Sequence, residues 1–98
     1  MRLEEYRRKI DKIDAEILDL LNRRARLSRN IGHIKASAGL AVIDLRREDI
    51  VIRRVLRDNA GQMSTDSIAR IYGEILSESR RIQLTISAEL NANAGAGQ

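Results

Sequence analysis

The sequence contains no cysteine, proline, phenylalanine or tryptophan, and a single histidine. Without cysteine there is no disulfide framework, no thiolate nucleophile and no sulfur-based metal site, and His33 alone cannot build a histidine cluster. Thiol catalysis and zinc chemistry are thereby set aside, and neither metal nor cofactor is expected. Two tyrosines, Tyr6 and Tyr72, are the whole aromatic complement, which leaves no stacking platform for single-stranded nucleic acid. No run of about 18 apolar residues exists to span a bilayer, and Met1-Arg2-Leu3-Glu4-Glu5 lacks the apolar stretch of a secretory signal. The expectation is a cytoplasmic protein that engages neither membrane nor nucleic acid.

Charge is abundant. A third of the residues are charged, and the net charge of +4 favours an anionic partner, although both signs are interspersed along the chain. A chain of 98 residues buries too little surface to be comfortably stable alone, so a second subunit is expected.

Apolar residues recur at three- and four-residue steps and do not alternate with polar ones, so the class is all-α. Leu3, Tyr6, Ile10, Ile13, Ile17, Leu20, Leu27, Ile31 and Ile34 form one stripe that predicts a helix over about residues 3 to 37. Such a helix is about 50 Å long, whereas a compact domain of this size has a radius of gyration near 13 Å. The helix overhangs its own domain, and its stripe runs to both ends. A second copy packed along it is the simplest cover, which predicts a three-helix protomer in an intertwined homodimeric bundle. Ala38-Gly39 ends this helix. Asp44 caps a shorter one carrying Glu48, Val51, Ile52, Val55 and Leu56, which Asn59-Ala60-Gly61 breaks. Ser64-Thr65-Asp66 starts a third, lasting to about Leu90. Residues 1–90 therefore read as one domain, and Asn91 to Gln98, with nothing to bury, as a disordered tail or linker stub.

Polar residues interrupt these stripes. Arg24 stands between Leu20 and Leu27, where an apolar residue is due. Burying an unpaired guanidinium costs several kcal/mol, so it must meet a carboxylate or a bound anion. Lys35 lies eleven residues on, roughly 20° from the same direction and about 16 Å along the axis. Ser79 and Gln83 follow Ile75 at four-residue steps, and Glu48 leans inward beside Val51 and Ile52, with Arg47 and Asp44 close by. Singly, each has an ordinary explanation: Arg24 snorkels, Lys35 is surface, Ser79 bonds its own backbone, Glu48 pairs with Arg47 or Arg24, and Gln83 is solvated. His33 and the arginines at 23, 26, 53, 54 and 57 read as solvated surface. Jointly, polar intrusions on three helices point to a site.

The segments Tyr6 to Asp14, Leu20-Leu21-Asn22-Arg23-Arg24, Ile31-Gly32-His33-Ile34-Lys35, Val42 to Glu48 and Ser79-Arg80-Arg81-Ile82-Gln83 together resemble the all-helical AroQ class of chorismate mutases. That resemblance implies an entwined dimer with each active site built from both chains. It implies that Arg24, and Arg7 from the partner chain, clamp the two carboxylates of chorismate, and that Lys35 and Gln83 bond the ether oxygen. Glu48 would hold the ring hydroxyl, with Arg47, Asp44 and Ser79 completing the wall. The conversion of chorismate to prephenate is an intramolecular Claisen rearrangement that needs no nucleophile, base or cofactor, only a held conformer and donors for the charge growing on the ether oxygen. Leu45 and Ile43 depart from common usage, where a proline and a basic residue are frequent. Gly32, inside the first helix, reads equally as a site of close approach or as tolerated. The rival functions are an isochorismate-pyruvate lyase on the same fold and a noncatalytic regulatory helical module.

Overall fold

The computed structural model describes residues 2–96 and consists of three helices: α1 (Arg2–Ala38), α2 (Leu45–Asp58) and α3 (Thr65–Ala96). Among the described residues there is no strand, in line with the all-α expectation.

The helix ends follow local chemistry. At the close of α1, Gly39 takes φ of 69°, and the amide of Leu40 donates to the Lys35 carbonyl at 2.8 Å while that of Gly39 donates to Ala36 at 3.4 Å. This pairing satisfies two carbonyls that the helix leaves open, and the left-handed turn explains the glycine. The Asp44 carboxylate accepts from the Arg47 amide at 3.0 Å to start α2, and Ser64 Oγ accepts from the Ser67 amide at 3.1 Å to start α3. Between α2 and α3, the Asn59 side chain donates to the Met63 carbonyl at 2.9 Å.

The tail expected at 91–98 is helical as far as Ala96, so α3 runs past its expected end at Leu90. The apolar stripe stops there, but alanine is the best helix former, and extending an existing helix adds a hydrogen bond for every residue fixed. Residues 97 and 98 lie outside the described residues.

The apolar stripe of α1 does not face α3. Leu27, Ile31 and Ile34 are 62%, 44% and 63% exposed. The face of α1 turned to α3 consists of Arg24, Ala25, Ser28, Gly32, Lys35 and Ala36, all buried or half-buried. Small side chains here let the two backbones approach: a Cβ on Gly32 would lie 3.2 Å from Gln83 Cα and 3.3 Å from Ile86 Cβ. Of the two readings of Gly32, close approach is the one observed. Among the described residues, Leu76 and Ile86 are the buried hydrophobics, and α2 packs on α3.

From Arg2 to Arg23 every side chain of α1 is exposed. The molecule measures 65 × 27 × 15 Å with a radius of gyration of 17.7 Å, well above the ~13 Å of a compact domain of this size. Its accessible surface is 7929 Å², where a compact monomer of this mass exposes roughly 5,700 Å². Among the described residues, no helix is long and apolar enough to cross a membrane.

Candidate functional site

The expected site residues Arg24, Lys35, Asp44, Arg47, Glu48, Ser79 and Gln83 line one cleft of about 340 Å³, together with Ser28, Val42 and Arg80. That volume is within the range of small-molecule sites. Its floor is the α1–α3 seam, its far wall is the first turn of α2, and Val42 in the connecting loop closes one end.

Arg24 Nη1 donates to Ser79 Oγ, which lies 3.0 Å from Ser28 Oγ. Among the described residues, no carboxylate forms an ion pair with Arg24. The Ser79 hydroxyl, itself hydrogen-bonded to Ser28, orients this half-buried guanidinium but leaves its charge uncompensated, which favours an anion at its remaining donors.

Lys35 Nζ donates to the Val42 carbonyl at 2.8 Å and to Gln83 Oε1 at 2.9 Å. An ammonium has three protons, so one remains for the cleft. Because Oε1 accepts from Lys35, the Gln83 amide nitrogen is the group left to donate elsewhere. Among the described residues no buried side-chain polar atom lacks a partner, so this nitrogen, which has no protein acceptor, reaches open space. Lys35 and Gln83 thus present two donors side by side.

On the opposite wall, Glu48 pairs with Arg80 of α3 and not with Arg47 or Arg24. Asp44 serves its backbone role as the α2 cap. The cleft is lined by four cations, Arg24, Lys35, Arg47 and Arg80, and two carboxylates, Asp44 and Glu48. The excess of two positive charges suits a dianion.

Arg7 is not in the cleft. It is exposed and donates to Glu4 at 2.9 Å, about 25 Å along α1 from Arg24, beyond the reach of its side chain. His33 is exposed, as expected.

Three participants were not singled out from the sequence: Arg80, Ser28 and the Val42 carbonyl. Ser28 carries the one usable signal, since it sits four residues after Arg24 and four before Gly32 on a face of small residues.

A smaller cleft of about 240 Å³ lies on the other side of the Arg24–Ser79 contact, lined by Leu21, Ala25, Ile75 and Ile82, with Glu74 and Glu78 at its edge. Arg81 donates to Glu78 at 2.9 Å, and this hydrogen bond, aided by the guanidinium charge, holds the Glu78 carboxyl below its ordinary range.

A family model described as chorismate mutase type II matches residues 6–84. The bifunctional chorismate mutase/prephenate dehydratase of Aquifex aeolicus is 42% identical over 79 residues, covering 76% of this chain and 22% of that protein. Its counterpart in Neisseria gonorrhoeae is 42% identical over 84 residues, covering 84% of this chain and 23% of that protein. The chain therefore spans about a fifth of the length of these curated relatives. Among solved structures, the form II chorismate mutase of Thermus thermophilus superposes with a TM-score of 0.83 at 29% identity, covering 85% of this chain and 94% of that one. Since the matched span takes in all three helices and every residue lining the cleft, the chain belongs to the chorismate mutase type II family.

Proposed function

We propose that this chain converts chorismate to prephenate, the step that opens the phenylalanine and tyrosine branch of aromatic amino acid synthesis. The observation that carries the reading is the cleft that Arg24, with no ion-pair partner among the described residues, shares with the paired donors Lys35 and Gln83.

In this reading Arg24 clamps one substrate carboxylate, and the remaining protons of Lys35 and Gln83 stabilise the negative charge that grows on the ether oxygen as the C–O bond breaks. Preorganised donors in a water-poor cleft are the largest single contribution to such catalysis. Glu48 accepts from the ring hydroxyl, while Ser79, Asp44 and Arg47 complete the wall. The clamps hold the conformer in which the new C–C bond forms, so neither nucleophile nor base takes part.

The second carboxylate requires Arg7 from another copy of the chain. An entwined homodimer supplies it and covers the apolar face of α1, where Leu3, Tyr6, Ile10, Ile13, Ile17 and Leu20 are each 48–59% exposed. Burying six such side chains contributes on the order of 10 kcal/mol. The catalytic domain is residues 1–90, the remainder serves as a tail or linker, and the protein works in the cytoplasm.

The test is an ultraviolet assay of chorismate consumption with products separated by chromatography, run beside Arg24→Ala. Prephenate formed by the parent, and at least about 100-fold more slowly by the variant, is the expected result for a charge clamp. Pyruvate and salicylate from isochorismate, with chorismate untouched, would make the protein a lyase. No turnover of either would make it a binding module.

A further inference from the structure

We propose that Arg80 is a positioning residue that acts on the substrate through Glu48. This rests on the mutase reading and adds to it a residue with no role assigned so far.

The pair is unusual within the molecule. Among the described residues, every other ion pair joins residues one, three or four apart on the same helix or at its end, whereas Arg80 and Glu48 join α3 to α2. It is also the least exposed of these pairs, with side chains 35% and 21% accessible. α2 packs against α3, and Arg80 is the charged contact that ties the Glu48 carboxylate to that helix at the edge of the cleft.

Two consequences follow for a dianionic ligand. A bare carboxylate on the wall would repel it, and the Arg80 guanidinium cancels that charge locally. The contact engages Glu48 Oε1, which leaves Oε2 to accept from a hydroxyl. Arg80 thereby converts a repulsive group into a neutral-field acceptor that selects a hydroxyl-bearing substrate.

The experiment is a double-mutant cycle in chorismate kinetics on the full chain, using Arg80→Met, Glu48→Gln and the combination, with Arg80→Lys as the conservative control and circular dichroism to follow folding. Arg80→Met is expected to raise KM about tenfold with kcat changed less than about threefold, yet to alter KM less than about twofold in the Glu48→Gln background. Arg80→Lys should recover most of the loss. Additive effects in the cycle would overturn the proposal and make Arg80 a direct substrate ligand. An unchanged KM with a lowered melting temperature would make the ion pair structural only. A parent with no turnover would instead defeat the mutase reading, in which case the same cycle is read as chorismate dissociation constants by calorimetry, and absence of coupling there also overturns the role of Arg80.

Discussion

The ammonium of Lys35 lies 2.9 Å from Gln83 Oε1, and this contact sets which end of the amide faces the cleft. An amide donates whatever the pH, whereas a carboxyl in the same place donates only when protonated. In Gln83→Glu, the neighbouring Lys35 favours the ionised carboxylate, which cannot donate to an ether oxygen. Activity of this variant is expected to fall about 100-fold at neutral pH and to recover as the pH is lowered. A pH–rate profile for kcat as flat as that of the parent would show that Gln83 is not a donor to the reacting oxygen.

Lys35 has a second task, since it also holds the Val42 carbonyl at 2.8 Å. On the proposed mutase reading, Lys35→Ala removes a donor to the transition state, at a cost of about 100- to 1000-fold in kcat, and releases the loop that carries Asp44. Accelerated hydrogen exchange at residues 40–44 should accompany the kinetic loss. If kcat fell while exchange stayed unchanged, the Val42 contact would contribute nothing to the loop.

Gly32→Ala tests the seam. A helical glycine costs about 1 kcal/mol relative to alanine, so on propensity alone the change stabilises. Here the added Cβ would meet Gln83 Cα at 3.2 Å and Ile86 Cβ at 3.3 Å. One of these neighbours is backbone, so α3 has to shift, at an overpacking cost of about 1–3 kcal/mol. The net expectation is a melting temperature lower by a few degrees, together with a lower kcat because Gln83 moves with its helix. A raised melting temperature would mean that the seam has slack.

These residues also show what the chain reveals before it folds. The helix starts were legible because Asp44 and Ser64 are capping residues, and Arg24, Lys35, Glu48, Ser79 and Gln83 each break an apolar period. Arg80 gave no such signal. It stands in an Arg80-Arg81 run in which one guanidinium turns to Glu48 and the other to Glu78, a choice made by the way α2 lies on α3. The face of α1 that meets α3 was hidden for a related reason. The strongest apolar stripe of α1 is exposed in the single chain, while a row of small residues makes the contact with α3. The extent of α3 beyond Leu90 carries no apolar stripe in the sequence to mark it.

Glu78 predicts a small dependence of stability on acid. The hydrogen bond from Arg81, with its charge, lowers the Glu78 pKa from the ordinary 4.5. A carboxyl with a depressed native pKa adds stability above its unfolded pKa, and that contribution is lost as the pH falls through the native value. Both partners are exposed, so the effect is slight. Thermal melts of Glu78→Gln should lie just below the parent at pH 7 and converge with it as the pH falls through the lowered native pKa of Glu78. A difference that did not shrink as the pH was lowered would have to come from something other than this pair.

The placement of Arg7 leads to the most discriminating prediction. It sits about 25 Å along α1 from Arg24, so a site that uses both must draw them from different chains. In the proposed dimer, the Arg7→Ala and Arg24→Ala proteins are each expected to be nearly inactive, since each site would lack one clamp. In a heterodimer of the two variants, one site loses both arginines and the other keeps both. Co-refolding equal amounts should therefore restore activity to about a quarter of the parent, because random pairing makes half the dimers mixed and each mixed dimer has one intact site of two. Light scattering of the same samples should give twice the chain mass, and Ile17→Asp, which places a charge on the uncovered α1 stripe, should shift it toward the monomer with loss of turnover. Mixed samples as inactive as their components, from dimers shown to have exchanged, would place Arg7 outside the site.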